Sequence, residues 1–269
     1  LAHSNLFIGG AQVKKKLAFL FLTMALIAAV ALPGCSNDND DPDPTSSVTK
    51  LTVVTDATFF PFEYVDTDTG KIVGFDIDLM RAIADKAGIE VEFKGIEWDA
   101  LLAGLANGSV DAAISSITIT EARQQQMLFS DPYHSAGQII VVNSSNNTIT
   151  GTANLNGKTV GVQSGTTGDD VVSDMSGVNK QSYDDISVAF NALLINQIDA
   201  IVVDTPVAAG YLAANPGQLK TVGEMLSAEE YGIAMPKGNE ALMAKINTAL
   251  AQIIADGTLD RIKQEWDVH

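Results

Sequence analysis

From Lys50 onward, short β-branched or apolar runs alternate with stretches in which apolar side chains recur every three or four positions. That alternation predicts α/β sheets with mainly parallel strands. Leu51–Thr55 predicts a strand, Asp66-Thr67-Asp68-Thr69-Gly70 a turn, and Asp76–Ala87 a helix. The helix carries Ile77, Met80, Ala84 and Ala87 on one face and ends at Gly88. Val91–Phe93 follows as a strand. Trp98–Ala106 is a helix turning Leu101, Leu102 and Leu105 inward, and Asp111–Ser115 is the next strand. A second series begins near residue 158: a strand at Thr159–Val162, a helix after Thr167, a helix at Asp185–Ile195 and a strand at Ala200–Val203. Asp204-Thr205-Pro206 then opens a helix to about Ala214, and helices at Glu240–Ala255 and Thr258–Trp266 close the chain.

The two series echo one another. Leu101-Leu102-Ala103-Gly104-Leu105 leading to Val110-Asp111-Ala112-Ala113-Ile114 matches Ala192-Leu193-Leu194 leading to Ile198-Asp199-Ala200-Ile201-Val202, with a one-residue slip. In each copy polar residues stand where the buried strand ends: Ser115 and Ser116 in the first, Asp204 in the second. Open α/β sheets bind ligands at the carboxyl ends of their strands, so two such edges facing across a cleft would form one shared site. The expected division is one lobe from residues 49–134 and 231–269, and another from 136–228. Crossovers at Tyr133–Gly137 and Ser227–Tyr231 would join them.

Upstream, the pattern changes. Lys14-Lys15-Lys16 precede an apolar run, Leu17–Leu32, broken only by Thr23. The run is shorter than the roughly 20 residues of a membrane-spanning helix, and residues 1–35 read as an export signal. Leu32-Pro33-Gly34-Cys35 resembles the lipobox of bacterial lipoproteins, which implies lipidation of Cys35. Cys35 is the sole cysteine, so no intrachain disulfide is possible. Residues 36–48 hold almost nothing to bury and read as a solvated tether. The chain carries 16 basic and 33 acidic residues; losing three lysines with the signal moves the net charge from −17 to −20. Nucleic acid is excluded as a partner.

From Leu51 to Trp266 the chain resembles the polar amino acid binding proteins, family 3 of the bacterial extracellular solute-binding proteins. The stretches that carry the likeness are Asp56 with Phe59-Phe60-Pro61-Phe62-Glu63-Tyr64, Gly74-Phe75-Asp76-Ile77-Asp78-Leu79, Ser115–Arg123, Phe129-Ser130-Asp131-Pro132-Tyr133, Val162–Thr167, Asp204-Thr205-Pro206 and Tyr231-Gly232-Ile233-Ala234. The resemblance implies a two-lobed periplasmic-binding-protein fold of type II, with two crossover hinge strands, that closes over an amino acid.

A free amino acid is a zwitterion, so its capture needs a fixed cation, a fixed anion and a shaped pocket. Arg123 is the candidate cation. Thr120 is placed to N-cap its helix, and the guanidinium can grip a carboxylate through two parallel hydrogen bonds. Ser115, Ser116 and Thr118 supply neighbouring donors and acceptors. Gln163, Thr166 and Thr167 lie in a stretch that resembles the family's loop at a helix N-terminus, where free N–H groups would meet the same carboxylate. Asp204 is the candidate anion, although Asp before Thr-Pro is also an ordinary N-cap. Phe59 and Trp98 would wall the ligand side chain, and the family resemblance implies that Asp56 can touch its far end. Arginine, lysine, histidine and glutamine all fit this set.

Catalysis is not expected. Beyond the signal only His134 and His269 are present, with no triad, no Cys/His metal spacing and no Walker loop; neither a cofactor nor a metal is expected. The alternatives on the same fold are a cyclohexadienyl or arogenate dehydratase and an amino-acid sensor module. The expected partners are a free amino acid, an ABC permease, and the membrane through the lipid anchor. The protein is expected to be an exported, lipid-anchored monomer of the cell envelope.

Overall fold

The computed structural model describes residues 49–268; the segment expected to be an export signal (1–35, with Cys35), the segment expected to be a tether (36–48) and His269 lie outside the described residues. The chain opens with β1 (Thr49–Thr55), then a small antiparallel ribbon of β2 (Thr58–Phe59), β3 (Glu63–Val65) and β4 (Ile72–Val73). Next come α1 (Phe75–Ala87), β5 (Ile89–Gly95), α2 (Trp98–Asn107), β6 (Ala112–Ala113), α3 (Glu121–Gln126) and β7 (Met127–Phe129). After β8 (His134–Ala136) the series runs β9 (Gln138–Asn143), β10 (Thr159–Gln163), α4 (Thr167–Ser173), β11 (Asn179–Tyr183), α5 (Ile186–Leu194), β12 (Ala200–Asp204), α6 (Thr205–Ala214) and β13 (Leu219–Val222). The chain finishes with β14 (Glu229–Tyr231), β15 (Ala234–Pro236), α7 (Glu240–Ala255) and α8 (Thr258–Glu265).

Two five-stranded sheets result, in the orders β5-β1-β6-β15-β7 and β11-β10-β12-β9-β13. In the first, β1 runs parallel to β5 and β6, and β15 antiparallel to β6 and β7. In the second, β10 runs parallel to β11 and β12, while β9 is antiparallel to β12 and β13. The chain leaves the first sheet through β8 and returns through β14, and these two strands pair with each other, His134 opposite Tyr231. The architecture is the expected two-lobed α/β fold, and the echoed helix–strand pairs have become α2–β6 and α5–β12, with β6 and β12 central in their sheets.

Some expected boundaries shift for physical reasons. The strand expected at Val91–Phe93 extends over Ile89–Gly95 because it pairs with β1 along its whole length. The strand expected at Asp111–Ser115 is paired only at Ala112–Ala113, since Ser116 adopts a left-handed backbone (φ 48°) and turns the chain out of the sheet. Asp185 lies outside α5, its side chain capping the Ser187 N–H.

The helices on the first sheet hold its geometry. α1 buries Phe75, Leu79, Met80 and Ile83, and it packs on α7, which buries Met243, Ile246, Leu250 and Ile253. Each such side chain contributes about 1.5–3 kcal/mol by leaving water. Gly74 lets β3 cross close over the start of α1. Its φ is 137°, and a Cβ there would stand 2.0 Å from the Phe62 carbonyl oxygen. The same approach forms the bonds Phe75 N–H to Pro61 O and Asp76 N–H to Phe62 O. It brings Glu63 of the ribbon and Asp76 of the helix into one buried place.

Candidate functional site

The loop ends of β1, β6, β10 and β12 converge on one cavity. The first sheet supplies Asp56 and Phe59 after β1, Trp98 at the start of α2, Ser115, Ser116 and Thr118 after β6, and Arg123 in α3. The second supplies Gln163 at the end of β10, Thr166 and Thr167 at the start of α4, and Asp204 at the end of β12. All eleven residues expected from the sequence line this space, and Glu63 of β3, not expected there, lines it too.

Arg123 is placed by its helix end. Thr120 caps α3, its hydroxyl oxygen accepting the Arg123 N–H, and the guanidinium donates to the Thr118 carbonyl (2.9 Å) and the Gly165 carbonyl (3.3 Å). It lies 5.3 Å from the centre of the Trp98 ring, within cation–π range. Among the described residues it forms no ion pair. Burial lowers its pKa, yet an arginine at this position stays charged at neutral pH.

Asp204 is buried at the end of β12. Here the expectation of an N-cap fails: no side-chain cap bond to α6 forms. Both carboxylate oxygens are drawn inward instead, one accepting from Gln138 Nε2 (2.9 Å) and the other from the Tyr231 hydroxyl. Burial and the nearby Glu229 charge push the carboxyl up to about 6, against the pull of these two bonds. No cation lies within ion-pair distance of Asp204 among the described residues.

Several bonds cross the cleft. Gln163 Nε2 donates to Asp56 (2.7 Å), and Trp98 Nε1 donates to the Gly165 carbonyl (3.1 Å). Gly165 has φ 69°, a conformation glycine adopts freely, and a Cβ there would reach Asp99 at 3.0 Å. Thr118 and Thr167, one from each side, both donate to the same oxygen of Glu229 on β14 at 2.8 Å. Burial raises Asp56 to about 6, the Gln163 bond opposing it.

Glu63 is wholly buried and accepts from the hydroxyls of Ser115 (3.0 Å) and Ser116 (3.4 Å). Burial and the neighbouring Asp76 carboxyl raise its pKa well above the usual range. The cavity thus sets three carboxyls, Asp56, Glu63 and Asp204, against one guanidinium. It can hold a molecule with one carboxylate and more than one positive centre.

A sequence model of the bacterial extracellular solute-binding proteins, family 3, matches residues 51–269. The chain belongs to this family. This family 3 solute-binding protein is 34% identical to the arginine-binding extracellular protein ArtP of Bacillus subtilis, over 92% of this chain and 97% of that one. It is likewise 34% identical to the L-cystine-binding protein TcyJ of Escherichia coli K12, over 80% of this chain and 82% of the relative. Among solved structures, an ancestral arginine-binding protein bound to glutamine shares 46% identity at a TM-score of 0.77, covering 82% of this chain and 98% of that one. These relatives are named as binding proteins, not enzymes.

Proposed function

We propose that this chain is the substrate-binding receptor of an ABC importer and that it captures a free basic L-amino acid, with arginine the best fit. One observation carries the reading: a guanidinium without an ion-pair partner and a buried carboxylate without a cation, among the described residues, line the same cavity. The ligand carboxylate would take the place of carbonyl contacts on Arg123, helped by N–H groups at Thr166 and Thr167, and its ammonium would sit on Asp204. Both are charge-assisted bonds in a site shielded from water, where they are strongest. Phe59 and Trp98 would flank the side chain, with Ser115, Ser116 and Thr118 beside it. Asp56, Gln163 and Glu63 would receive its distal end. The second carboxyl at that end favours a cationic side chain over the amide of glutamine.

The two lobes, 49–134 with 231–269 and 136–228, would close by rotation about β8 and β14 after the ligand docks on Arg123, Phe59 and Trp98. Closure would create the surface that an ABC permease reads. Cys35 would carry the lipid that holds this monomeric receptor in the cell envelope after export, and binding would proceed without chemical turnover. A thermal-shift screen of the twenty amino acids tests the ligand. Arginine, lysine or histidine at about a hundred times its dissociation constant should raise Tm by roughly 5–10 °C. A largest shift with glutamate, or no shift with any amino acid, would refute the reading.

A further inference from the structure

One acid joins the two sides of the cleft and is left unused by the reading above. Glu229 opens β14, the returning crossover strand. It is half-buried and is not one of the residues that line the cavity. Two lining hydroxyls nevertheless reach it. Its Oε2 accepts from Thr118, which follows β6, and from Thr167, which opens α4, at 2.8 Å each. Gln138 Nε2, at the start of β9, approaches the same oxygen at 3.4 Å, and the Ser227 hydroxyl donates to Oε1 (2.6 Å).

The backbone around Glu229 explains how one side chain can serve both sheets. Just after it, Glu230 O accepts the Ile119 N–H (2.8 Å) and the Gly232 N–H donates to Ile117 O (3.1 Å), which ties β14 to the segment leaving β6. Just before it, the Leu226 N–H donates to Gln138 O (2.7 Å) and the Gln138 N–H donates to the Ser227 hydroxyl (3.0 Å), which ties that stretch to β9. Glu229 stands where the chain passes from one set of bonds to the other.

A threonine hydroxyl has one hydrogen and two lone pairs, whereas a carboxylate has lone pairs alone. Thr118 and Thr167 therefore spend their hydrogens on Glu229 and keep only acceptor positions for anything else. On Thr167 one such position is taken by Gln138 Nε2 (3.1 Å), which also donates to Asp204 (2.9 Å). Thr118 lines the cavity, and its carbonyl holds Arg123 at 2.9 Å. Its hydroxyl oxygen can receive a ligand N–H but cannot donate to a ligand carboxylate.

We propose that Glu229 is a positioning residue that fixes the polarity of the cavity and so the direction in which a zwitterion is held. This rests on the reading of the cavity as an amino-acid site. With its hydrogen drawn to Glu229, the Thr118 hydroxyl joins Asp204 in receiving the ligand ammonium, and the carboxylate is left to Arg123 and the N–H groups of α4. Without an acceptor at position 229 both hydroxyls are free to turn their hydrogens into the cavity, where they oppose the ammonium.

The test is calorimetric titration of the full chain and its variants with L-arginine, with the melting temperature of each ligand-free variant measured alongside. Glu229→Met keeps the length of the side chain and removes the acceptor; it should weaken binding by about 10- to 100-fold. Glu229→Gln keeps one oxygen for the two threonines and can turn its amide to Ser227, so its affinity should lie closer to wild type than to Glu229→Met. Thr118→Val should also weaken binding, and the double variant with Glu229→Met should lose clearly less than the product of the two separate losses, because the two residues act through one hydroxyl. Thr118→Val leaves Glu229 in place and so gives an independent readout should Glu229→Met fail to fold. Wild-type affinity in Glu229→Met or in Thr118→Val, a Glu229→Gln as weak as Glu229→Met, or losses that multiply in the double variant would each overturn the role of Glu229. Failure of wild type to bind arginine at all would instead bring down the receptor reading, and this proposal with it.

Discussion

The role proposed for Asp204 is that of a residue that costs stability in the empty protein and serves the loaded one. A buried carboxylate with two neutral donors and no cation is poorly compensated. We expect Asp204→Asn to melt at the same temperature as wild type or higher without ligand, while arginine affinity falls by about 3–4 kcal/mol, two to three orders of magnitude. Thermal melts paired with calorimetry check both halves; a variant that binds normally would contradict the assignment. Residues of this kind were unevenly legible in the sequence. Arg123 could be placed because the Thr120 cap fixes its helix start, and that cap is present. The capping role offered for Asp204 failed because Gln138 and Tyr231, distant in sequence, claim its oxygens. Glu63 was missed although its motif was noticed. An acid between Phe62 and Tyr64 in a short strand reads as an outward position, whereas here Glu63 lies inward, on the hydroxyls of Ser115 and Ser116, with the ribbon close against α1 at Gly74.

At the scale of elements, the alternation of strand and helix was readable because each series repeats one local unit, and α2–β6 and α5–β12 keep that echo in space. Strand lengths were less readable, since they depend on partners: β5 gains its length from β1, and β6 loses its length to the Ser116 turn. One contact between elements distant in sequence is shown by no local pattern. Gly210 in α6 lies against the β2–β3 loop, where an added Cβ would stand 2.8 Å from Pro61 Cδ and 2.9 Å from Phe60 Cδ1. Gly210→Leu should wedge this contact while leaving each sheet intact. Overpacking of about 1–3 kcal/mol predicts a loss of affinity of roughly 5- to 150-fold. Small-angle scattering should show a larger radius of gyration with ligand present than in wild type. Unchanged scattering and affinity would mean that α6 does not meet the ribbon in the closed form.

Across the whole molecule, the buried acids give the ligand-free protein an unusual pH dependence. Asp56 and Asp204 titrate near 6 when folded, against about 3.9 for an unfolded aspartate. The folded state therefore holds more protons between those values, and stability falls as pH rises through them. Glu63 and Asp76, also raised, extend the same trend upward. His134, pushed by burial down to about 4, acts oppositely below about 6.5. Four carboxyls outweigh one imidazole, so the empty protein should melt higher at pH 5.5 than at 7.5, and saturating arginine should narrow the gap. A Tm that rises with pH would contradict this balance. The net charge of −20 expected after the signal says little about fold. The division of labour between two sheets was legible because it rests on repeated patterning, whereas the charge balance inside the cleft exists only once both halves meet. The most direct test of the zwitterion account is calorimetric titration of Arg123→Ala with arginine. We predict a folded protein with no detectable binding heat at concentrations that saturate wild type; binding with wild-type affinity would contradict the account.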